Sequence, residues 1–394
     1  MPGVPSRHDV VVLGAGIMGC ALAHHLRKEG VGSVVLYDGV HPCAGASGAS
    51  VGALSPFPWD RWERGLVRES AREYREISEK WGLGAYRESG GLWVARDEKD
   101  ARWLERQIEL ARREGDGTEA VGPELAARLL PAGDLSGAQV VAHVPREALL
   151  SSSEMTFAYA ELASQAGVDL RWGWGAPAVE RHSDGWRVRA LGGDFSATSL
   201  VLACGAWTGP LLRELGQPWP LSAFRTEGCR LRPGPLAAPF PTYHETSGGL
   251  LVRSAPGGRL LVTGGAPSLP VDPARANPAA DFSYLETIAG RFQDVLPGWA
   301  GSNVERGWAG VCAATPDGHP LVGPIPRVPG LFVAAGFNGS GVMRAGAIAR
   351  RFASAFVAGS WTELGPALPS RFPEGVRSEV RAPRSESFQA VPTE

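Results

Sequence analysis

Residues 9–38 read DVVVLGAGIMGCALAHHLRKEGVGSVVLYD, and the fold is decided there. Residues 9–13 form a short β-branched apolar run and predict a buried strand. Gly14, Ala15, Gly16, Ile17, Met18 and Gly19 follow at once as G-x-G-x-x-G. Residues 20–29 predict a helix stopped at Gly30, and residues 33–37 a second strand that ends on Asp38. Each part of this unit has a physical task. Gly14 allows the tight turn, Gly16 lets the backbone approach a pyrophosphate, and Gly19 lets the helix pack closely on the strand. The helix N-terminus offers unpaired N–H groups and a partial positive charge to phosphates. Asp38 stands where an acid accepts hydrogen bonds from a ribose. The strand, the helix and the acid at this distance together read as a dinucleotide site.

The other 364 positions must be consistent with a soluble enzyme, and they are: of 394 residues, 44% are hydrophobic and 20% charged. A net charge of −2 gives no reason to expect nucleic acid or an anionic membrane surface as partner. Residues 1–8 carry no apolar signal core, and residues 10–13 are too short to span a bilayer. Cys20, Cys43, Cys204, Cys229 and Cys312 lack CxxC spacing, so they read as reduced thiols of a cytoplasmic protein without a metal site.

Downstream of Asp38, the small residues of 44–55, among them Ala46, Ser47 and Ser50, would let the backbone pass close to a ligand. Helices are expected at 59–81, 97–114 (Leu110 inward), 124–130, 152–166 (Ser152 as cap, Phe157 packing), 209–215, 282–296 and 342–356. Strands are expected at 90–95, 168–172, 185–190, 198–202, 227–231, 249–253, 259–263, 304–313 and 331–335. The 331–335 run leads into Gly336, Phe337, Asn338, Gly339, Ser340 and Gly341, a second glycine-rich turn that offers another helix N-terminus. Strands near 10, 35, 200 and 333 should share one sheet. The expected division is a discontinuous nucleotide domain of 1–85, 150–220 and 300–360, a largely antiparallel substrate domain of 86–149 and 221–299, and a C-terminal tail of 361–394, poorly ordered from about Gly365 onward.

These residues resemble the FAD-dependent oxidoreductases typified by D-amino-acid, glycine and sarcosine oxidases, nearest their sarcosine, dimethylglycine and proline-type branch. Five blocks carry the resemblance: 11–19 with Asp38; 46–52; 202–207; 307–310 with 315–323; and 334–341. It implies an α/β fold: a glutathione-reductase-like Rossmann domain that binds FAD, and an α+β second domain whose mainly antiparallel sheet covers the flavin. It places Gly14 to Gly19 on the pyrophosphate, Asp38 on the ribose, and Ala46, Ser47 and Ser50 beside the phosphates. Ala203 and Gly205 would lie near the adenine. Gly310, Phe337, Asn338, Gly339, Ser340, Gly341 and Val342 would run under the flavin, their N–H groups facing its pyrimidine edge. The implied reaction is oxidation of a C–N bond in an amine or amino acid, a secondary amine favoured. A hydride passes to flavin N5 and an imine results. Electrons would then go to oxygen or to an acceptor protein; a dehydrogenase subunit serving a partner, or a flavin-binding subunit without turnover, are the alternatives.

The departures from the family pattern bear on chemistry. Cys312 stands where the glycine-oxidase pattern has a carboxylate-binding arginine. Gly310, Ala49 and Ser50 occupy the positions of covalent flavin attachment, so non-covalent FAD is expected. Val262 stands near the position of the oxygen-activating lysine. Arg253 and Arg344 are the candidates to bind a substrate carboxylate in place of the missing arginine, because a planar guanidinium meets a carboxylate with two hydrogen bonds. Trp308 reads as a pocket wall or as core. Tyr243 and His244, in a loop before the 249–253 strand, could line the pocket. Cys312 is a reactive thiol or a small buried apolar residue.

Overall fold

The 9–38 pattern folds as read. The Ser6–Leu13 strand, helix α1 (Ile17–Lys28) and the parallel Val34–Asp38 strand form one βαβ unit. The computed structural model describes residues 6–234, 239–265 and 269–373. Among the described residues eight further α-helices follow: α2 (Ala46–Ala49), α3 (Arg61–Trp81), α4 (Glu98–Arg113), α5 (Pro123–Leu129), α6 (Ser152–Gln165), α7 (Thr208–Glu214), α8 (Phe282–Val295) and α9 (Gly341–Ala358).

The first sheet has the order Ala178–His182, Gly185–Arg189, Phe195–Leu202, Ser6–Leu13, Val34–Asp38 and Asp169–Trp172. Leu331–Ala335 pairs parallel with Phe195–Leu202, and Leu321–Pro324 flanks it. Strands near 10, 35, 200 and 333 thus share a sheet. Helices α1, α6 and α9 pack on it through small residues, among them Ala21, Ala23, Ala158, Ala163, Ala345 and Ala349, all buried. The distance between packed helices follows side-chain size, and alanine brings these three close.

The second sheet runs Ser222–Arg232, Arg259–Thr263, Leu251–Ala255, Thr242–Glu245, Gly91–Ala95, Val140–Val144 and Glu119–Ala120, with Asn303–Ala314 along the free edge of the first of these. All its pairings are antiparallel except that of Thr242–Glu245 with Gly91–Ala95. One face, through Val252, Val262, Leu231 and Tyr243, builds a core with α8. The opposite face, through Leu251, Leu261 and Trp308, packs on Val51 and Ala53 just beyond α2.

Several expectations are corrected. Asn303–Ala314, assigned by sequence to the nucleotide domain, pairs along its whole length with Ser222–Arg232 of the second sheet. Tyr243 and His244 lie in a strand, not a loop. Leu110 and Phe157 are exposed; the rest of the expected α4 face, Ala101, Leu104 and Ile108, is buried, and Met155 and Tyr159 fill the interior beneath α6. The α6 cap is Ser151, whose Oγ accepts the Glu154 N–H at 3.3 Å. The neighbouring Ser152 hydroxyl instead donates to the Ser47 carbonyl at 2.8 Å. In the expected tail, residues 361–373 are ordered: Leu364 and Ala367 are buried against the first core. Residues 374–394 lie outside the described residues.

Among the bonds that tie α3 to α9, the Tyr74 hydroxyl makes two. Tyr74 donates to the Val342 carbonyl at 2.7 Å and accepts the Gly346 N–H at 3.2 Å. These are the two groups that an undisturbed helix would join, so the phenol is inserted into the helical ladder. Tyr74→Phe removes both bonds inside the core and should lower the unfolding free energy by about 1–3 kcal/mol. A urea titration reads this as a lower midpoint at constant slope. An unchanged midpoint would mean that α9 closes its own bond at no cost.

Candidate cofactor and substrate site

The first glycine turn is built by close approach. Gly14 has φ of 102°, and a Cβ there would lie 2.5 Å from the Ala203 carbonyl oxygen. A Cβ on Gly19 would lie 1.7 Å from the Gly14 oxygen, so α1 begins pressed against the end of the first strand. Asp38 fixes the turn: its Oδ2 accepts the Ala15 N–H at 2.7 Å and its Oδ1 the Val40 N–H at 2.9 Å. The Ile17 N–H is taken by the Ser47 hydroxyl at 3.0 Å. Among the described residues the N–H groups of Gly16, Met18 and Gly19 have no hydrogen-bond acceptor, as in the first turn of any helix. So of the six residues expected at the phosphates, three offer free donors. Ala15 and Ile17 instead spend theirs on Asp38 and Ser47.

Helix α2 is held from two sides. Ser152 binds the Ser47 carbonyl, and also that of Ser50 at 3.3 Å. On the other side the Trp308 indole N–H donates to the Ala49 carbonyl at 2.9 Å. A Cβ on Gly310 would lie 2.8 Å from the Ala49 Cβ. The sheet therefore meets the 46–54 segment at Trp308 and Gly310, and the structure brings these residues together with Ala46, Ser47 and Ser50. Gly205, with φ of 54°, opens a short 3-10 turn just beyond Ala203, beside Gly14.

The second glycine turn differs from its expected use. The Asn338 N–H donates to the Ala313 carbonyl at 2.9 Å, and the Ser340 N–H to the Phe337 carbonyl at 2.9 Å. These two groups are therefore not available to a flavin edge. The Asn338 side chain is structural as well: it bonds the carbonyls of Gly318 and Gly336, at 2.6 and 3.0 Å, and the Thr315 N–H at 3.1 Å. Free donors remain at Gly341 and Val342, in the first turn of α9.

Arg344 is not a free substrate clamp. It is fully buried, bonded to Glu63, to the Ser340 hydroxyl and to the Phe337 carbonyl, and it stacks over Trp59 with 5.0 Å to the ring centroid. Its charge holds the glycine turn to α3. Burial pushes the Glu63 carboxyl above its ordinary pKa, although Arg344 pulls it down. Beside this pair the fold gathers Asp60, Glu63 and His319 within 4.8 Å, a metal-capable grouping that sequence reading did not find. Its acids already have tasks, since Asp60 caps α3 and Glu63 pairs with Arg344.

The remaining candidates separate by face. Tyr243 and Val262 point into the far core with α8, away from the cofactor loops. His244 lies in a cross-strand row with Leu251, Thr263, Gly228 and Trp308. Four strand spacings separate it from Trp308, about 19 Å. It stacks on Trp93 at 4.1 Å and its Nε2 meets buried Glu147 at 2.6 Å, a pairing that no local sequence signal marks. Cys312 is half-buried on the site-facing strand, and desolvation pushes its thiol up to about 12. Arg253 is buried on the face that carries Leu251.

An FAD fits what is present: a glycine cradle that a Cβ would fill, free N–H groups at two helix starts, and an acid beside the first. Residues 9–355 match the family model described as FAD dependent oxidoreductase. Glycine oxidase of Geobacillus kaustophilus is 29% identical over 86% of this chain and 89% of its own. The 4-methylaminobutanoate oxidase (formaldehyde-forming) of Paenarthrobacter nicotinovorans is 27% identical over 91% of this chain, which spans only 44% of that protein. The crystal structure of L-proline dehydrogenase from P. horikoshii superposes with a TM-score of 0.86, at 22% identity, over 94% of this chain and 98% of its own. Among the described residues no helix is long and apolar enough to cross a membrane. Cradle, acid and family match agree over the same residues, and the chain belongs to the FAD-dependent oxidoreductase family.

Proposed function

We propose that this protein oxidises the C–N bond of an amine or amino acid, secondary amines favoured, with dissociable FAD. One observation carries the reading. Two glycine-led helix starts, α1 and α9, follow strands that both run parallel to Phe195–Leu202, so they open at the same edge of one sheet. Ligands of open α/β sheets bind at that edge. The names of the two sequence relatives, an N-methylamino acid oxidase and a glycine oxidase, support an amine or amino acid as substrate.

FAD bound there would supply the hydride acceptor. The chain's own residues do the rest. Gly16, Met18 and Gly19 donate to the pyrophosphate. Asp38 gives one lone pair per oxygen to the protein and keeps capacity for ribose hydroxyls. The α9 N-terminus, at Gly341 and Val342, favours negative charge beside it. Trp308, Leu251 and Leu261 present an apolar wall that excludes water from the reacting carbon. The positions of covalent attachment in the family carry Ala49, Ser50 and Gly310, none of which can form the link.

Acid precipitation of the purified protein should release FAD into a yellow supernatant. Colour kept in the pellet would overturn the non-covalent reading. Anaerobic mixing with secondary amines and amino acids should bleach the flavin band with at least one of them, and admission of oxygen then tells oxidase from dehydrogenase. If no amine bleaches it, the C–N reading fails.

Gly16→Val should abolish FAD binding while the fold survives, since a Cβ there meets only the Ser47 hydroxyl, at 3.1 Å. Normal flavin content with an unchanged circular dichroism spectrum would remove this loop from the phosphate site. Cys312, whose thiol is pushed up to about 12, should resist iodoacetamide at pH 8 in the folded protein and react once it is unfolded. Rapid alkylation in the folded state would mark it as a reactive group.

A further inference from the structure

Beyond α9 the chain turns back over the first sheet. Trp361 packs on Phe332 and Phe352, with ring centroids 5.5 and 5.1 Å away. Leu364 and Ala367 are fully buried. Gly323, in the Leu321–Pro324 strand, lies under this segment: a Cβ there would stand 3.0 Å from Leu368 Cδ2 and 3.5 Å from Pro369 Cδ. The segment thus delivers Arg371 to the 315–319 loop. There its guanidinium meets Asp317 side-on, Nε with Oδ2 at 2.7 Å and Nη2 with Oδ1 at 3.1 Å. Nη2 also donates to the His319 carbonyl at 2.8 Å, and Nη1 to the Leu368 carbonyl at 3.2 Å. All three nitrogens are used. Burial alone would raise the Asp317 pKa, but the Arg371 hydrogen bonds and charge, with His319, outweigh it and hold the carboxyl below its ordinary value. A planar guanidinium paired with both oxygens of a carboxylate fixes direction as well as distance.

The loop that Arg371 grips leads to the second glycine turn. Residues 315–319 belong to no helix or strand, and Pro316 and Gly318, the latter with φ of 81°, leave the loop without a ladder of its own. It is held by side chains. From outside, Arg371 binds Asp317 and the His319 carbonyl. The His319 ring adds looser contacts, 3.9 Å from Asp60 and 3.8 Å from Glu63. From inside, Thr315 Oγ1 donates to the same His319 carbonyl at 2.6 Å. The Thr315 N–H donates to Asn338 Oδ1 at 3.1 Å, and Asn338 Nδ2 donates to the Gly318 carbonyl at 2.6 Å. Asn338 stands at φ of 52°, a left-handed conformation that these bonds support. Just beyond it α9 opens with the free donors of Gly341 and Val342. One loop and one side chain therefore separate Arg371 from the start of α9, and a hydrogen bond joins each step.

We propose that Arg371 is a positioning residue of the cofactor site: by holding the 315–319 loop it fixes, through Asn338, the direction of the Gly341 and Val342 N–H groups. The proposal rests on the reading that α9 opens toward the FAD, and not on which bond the enzyme oxidises. Donors aimed in advance at a group that becomes negative favour its reduced form, and the effect falls when the aim is lost. Arg371 falls in the stretch that composition reads as a tail, so no motif points to it.

The test reads the FAD-loaded protein by the midpoint potential of its flavin and by the FAD dissociation constant, neither of which needs a substrate. Arg371→Met should move the potential to a more negative value and weaken FAD by about two- to thirtyfold, the range of a coupling carried through bonded and packed groups. Arg371→Lys, which keeps the charge without the fork, should fall between Met and the native residue. Arg371→Met should cost less in an Asp317→Asn background than alone, because the fork is already broken. Leu364→Ala removes a buried side chain of the same segment; it should lower the urea midpoint and leave the potential in place. A merely structural Arg371 would behave like that variant. An unchanged potential in Arg371→Met, or an equal shift in Leu364→Ala, would overturn the proposal. Asn338→Gly keeps the left-handed backbone and removes the side-chain bonds. If it shifts the potential and Arg371→Met does not, the α9 reading stands and Arg371 is not its positioning residue. If neither shifts it, α9 does not open toward the flavin and both fall. A flavin that no amine bleaches, yet whose potential still shifts in Arg371→Met, would remove the C–N reading and leave this one.

Discussion

The gap between the two sheets is set at one contact. Gly310 has no side chain, Ala49 has one methyl, and the Trp308 indole N–H reaches past them to the Ala49 carbonyl. Any larger residue at 310 would push the second sheet off the 46–54 segment by the width of a methyl group. The indole bond resists that movement, and Ser152 holds the other side of α2 against α6. On the function proposed above, the flavin and its substrate would lie along this seam. The sheet itself is stiff, because its opposite face is filled by α8.

Charge is placed by a second constraint. The interior contains arginines at a depth where an unpaired cation is expensive, and most are neutralised by acids brought from distant segments. Arg344 and Glu63 are 281 residues apart in sequence, yet they fix the turn before α9. Asn338 does related work without charge, tying that turn to the carbonyls and N–H groups of the 313–318 segment. The second glycine turn is thus rigid by internal bonding, and the start of α9 is left to interact outward.

What the sequence revealed follows from range. The βαβ unit was legible because strand, turn, helix and acid lie within thirty residues and each obeys a local rule. Strands with short apolar runs, such as Arg259–Thr263 and Leu331–Ala335, were legible for the same reason. Thr242–Glu245 was not: Thr-Tyr-His-Glu lacks apolar alternation and is buried on both faces by its neighbours. Phe157 and Leu110 misled because apolar residues are common on surfaces. The sheet that owns Asn303–Ala314 is a matter of long-range pairing, and its pattern fits either sheet. The site was half legible. Motif positions located the cradle, but which N–H groups are spent inside it depends on Asp38, Ser47 and Ala313. Likewise Arg253 and Arg344 look alike in sequence; Glu63 pairs with Arg344, and among the described residues no carboxylate pairs with Arg253.

The chain crosses between its two sheets several times before either is finished. The first sheet opens with Ser6–Leu13 and is completed by Leu331–Ala335; the second lies mostly in between and closes with Asn303–Ala314. Synthesis from the N-terminus therefore delivers a βαβ unit long before the strand that covers the edge of Phe195–Leu202 and the helix that covers α1. Until residue 358 has emerged, the nascent protein carries an open parallel edge and the uncovered alanine face of α1, the kinds of surface that invite wrong partners. A fold of such high contact order forms slowly. The discontinuous layout of the two sheets thus leaves the growing chain dependent on shielding until α9 is made.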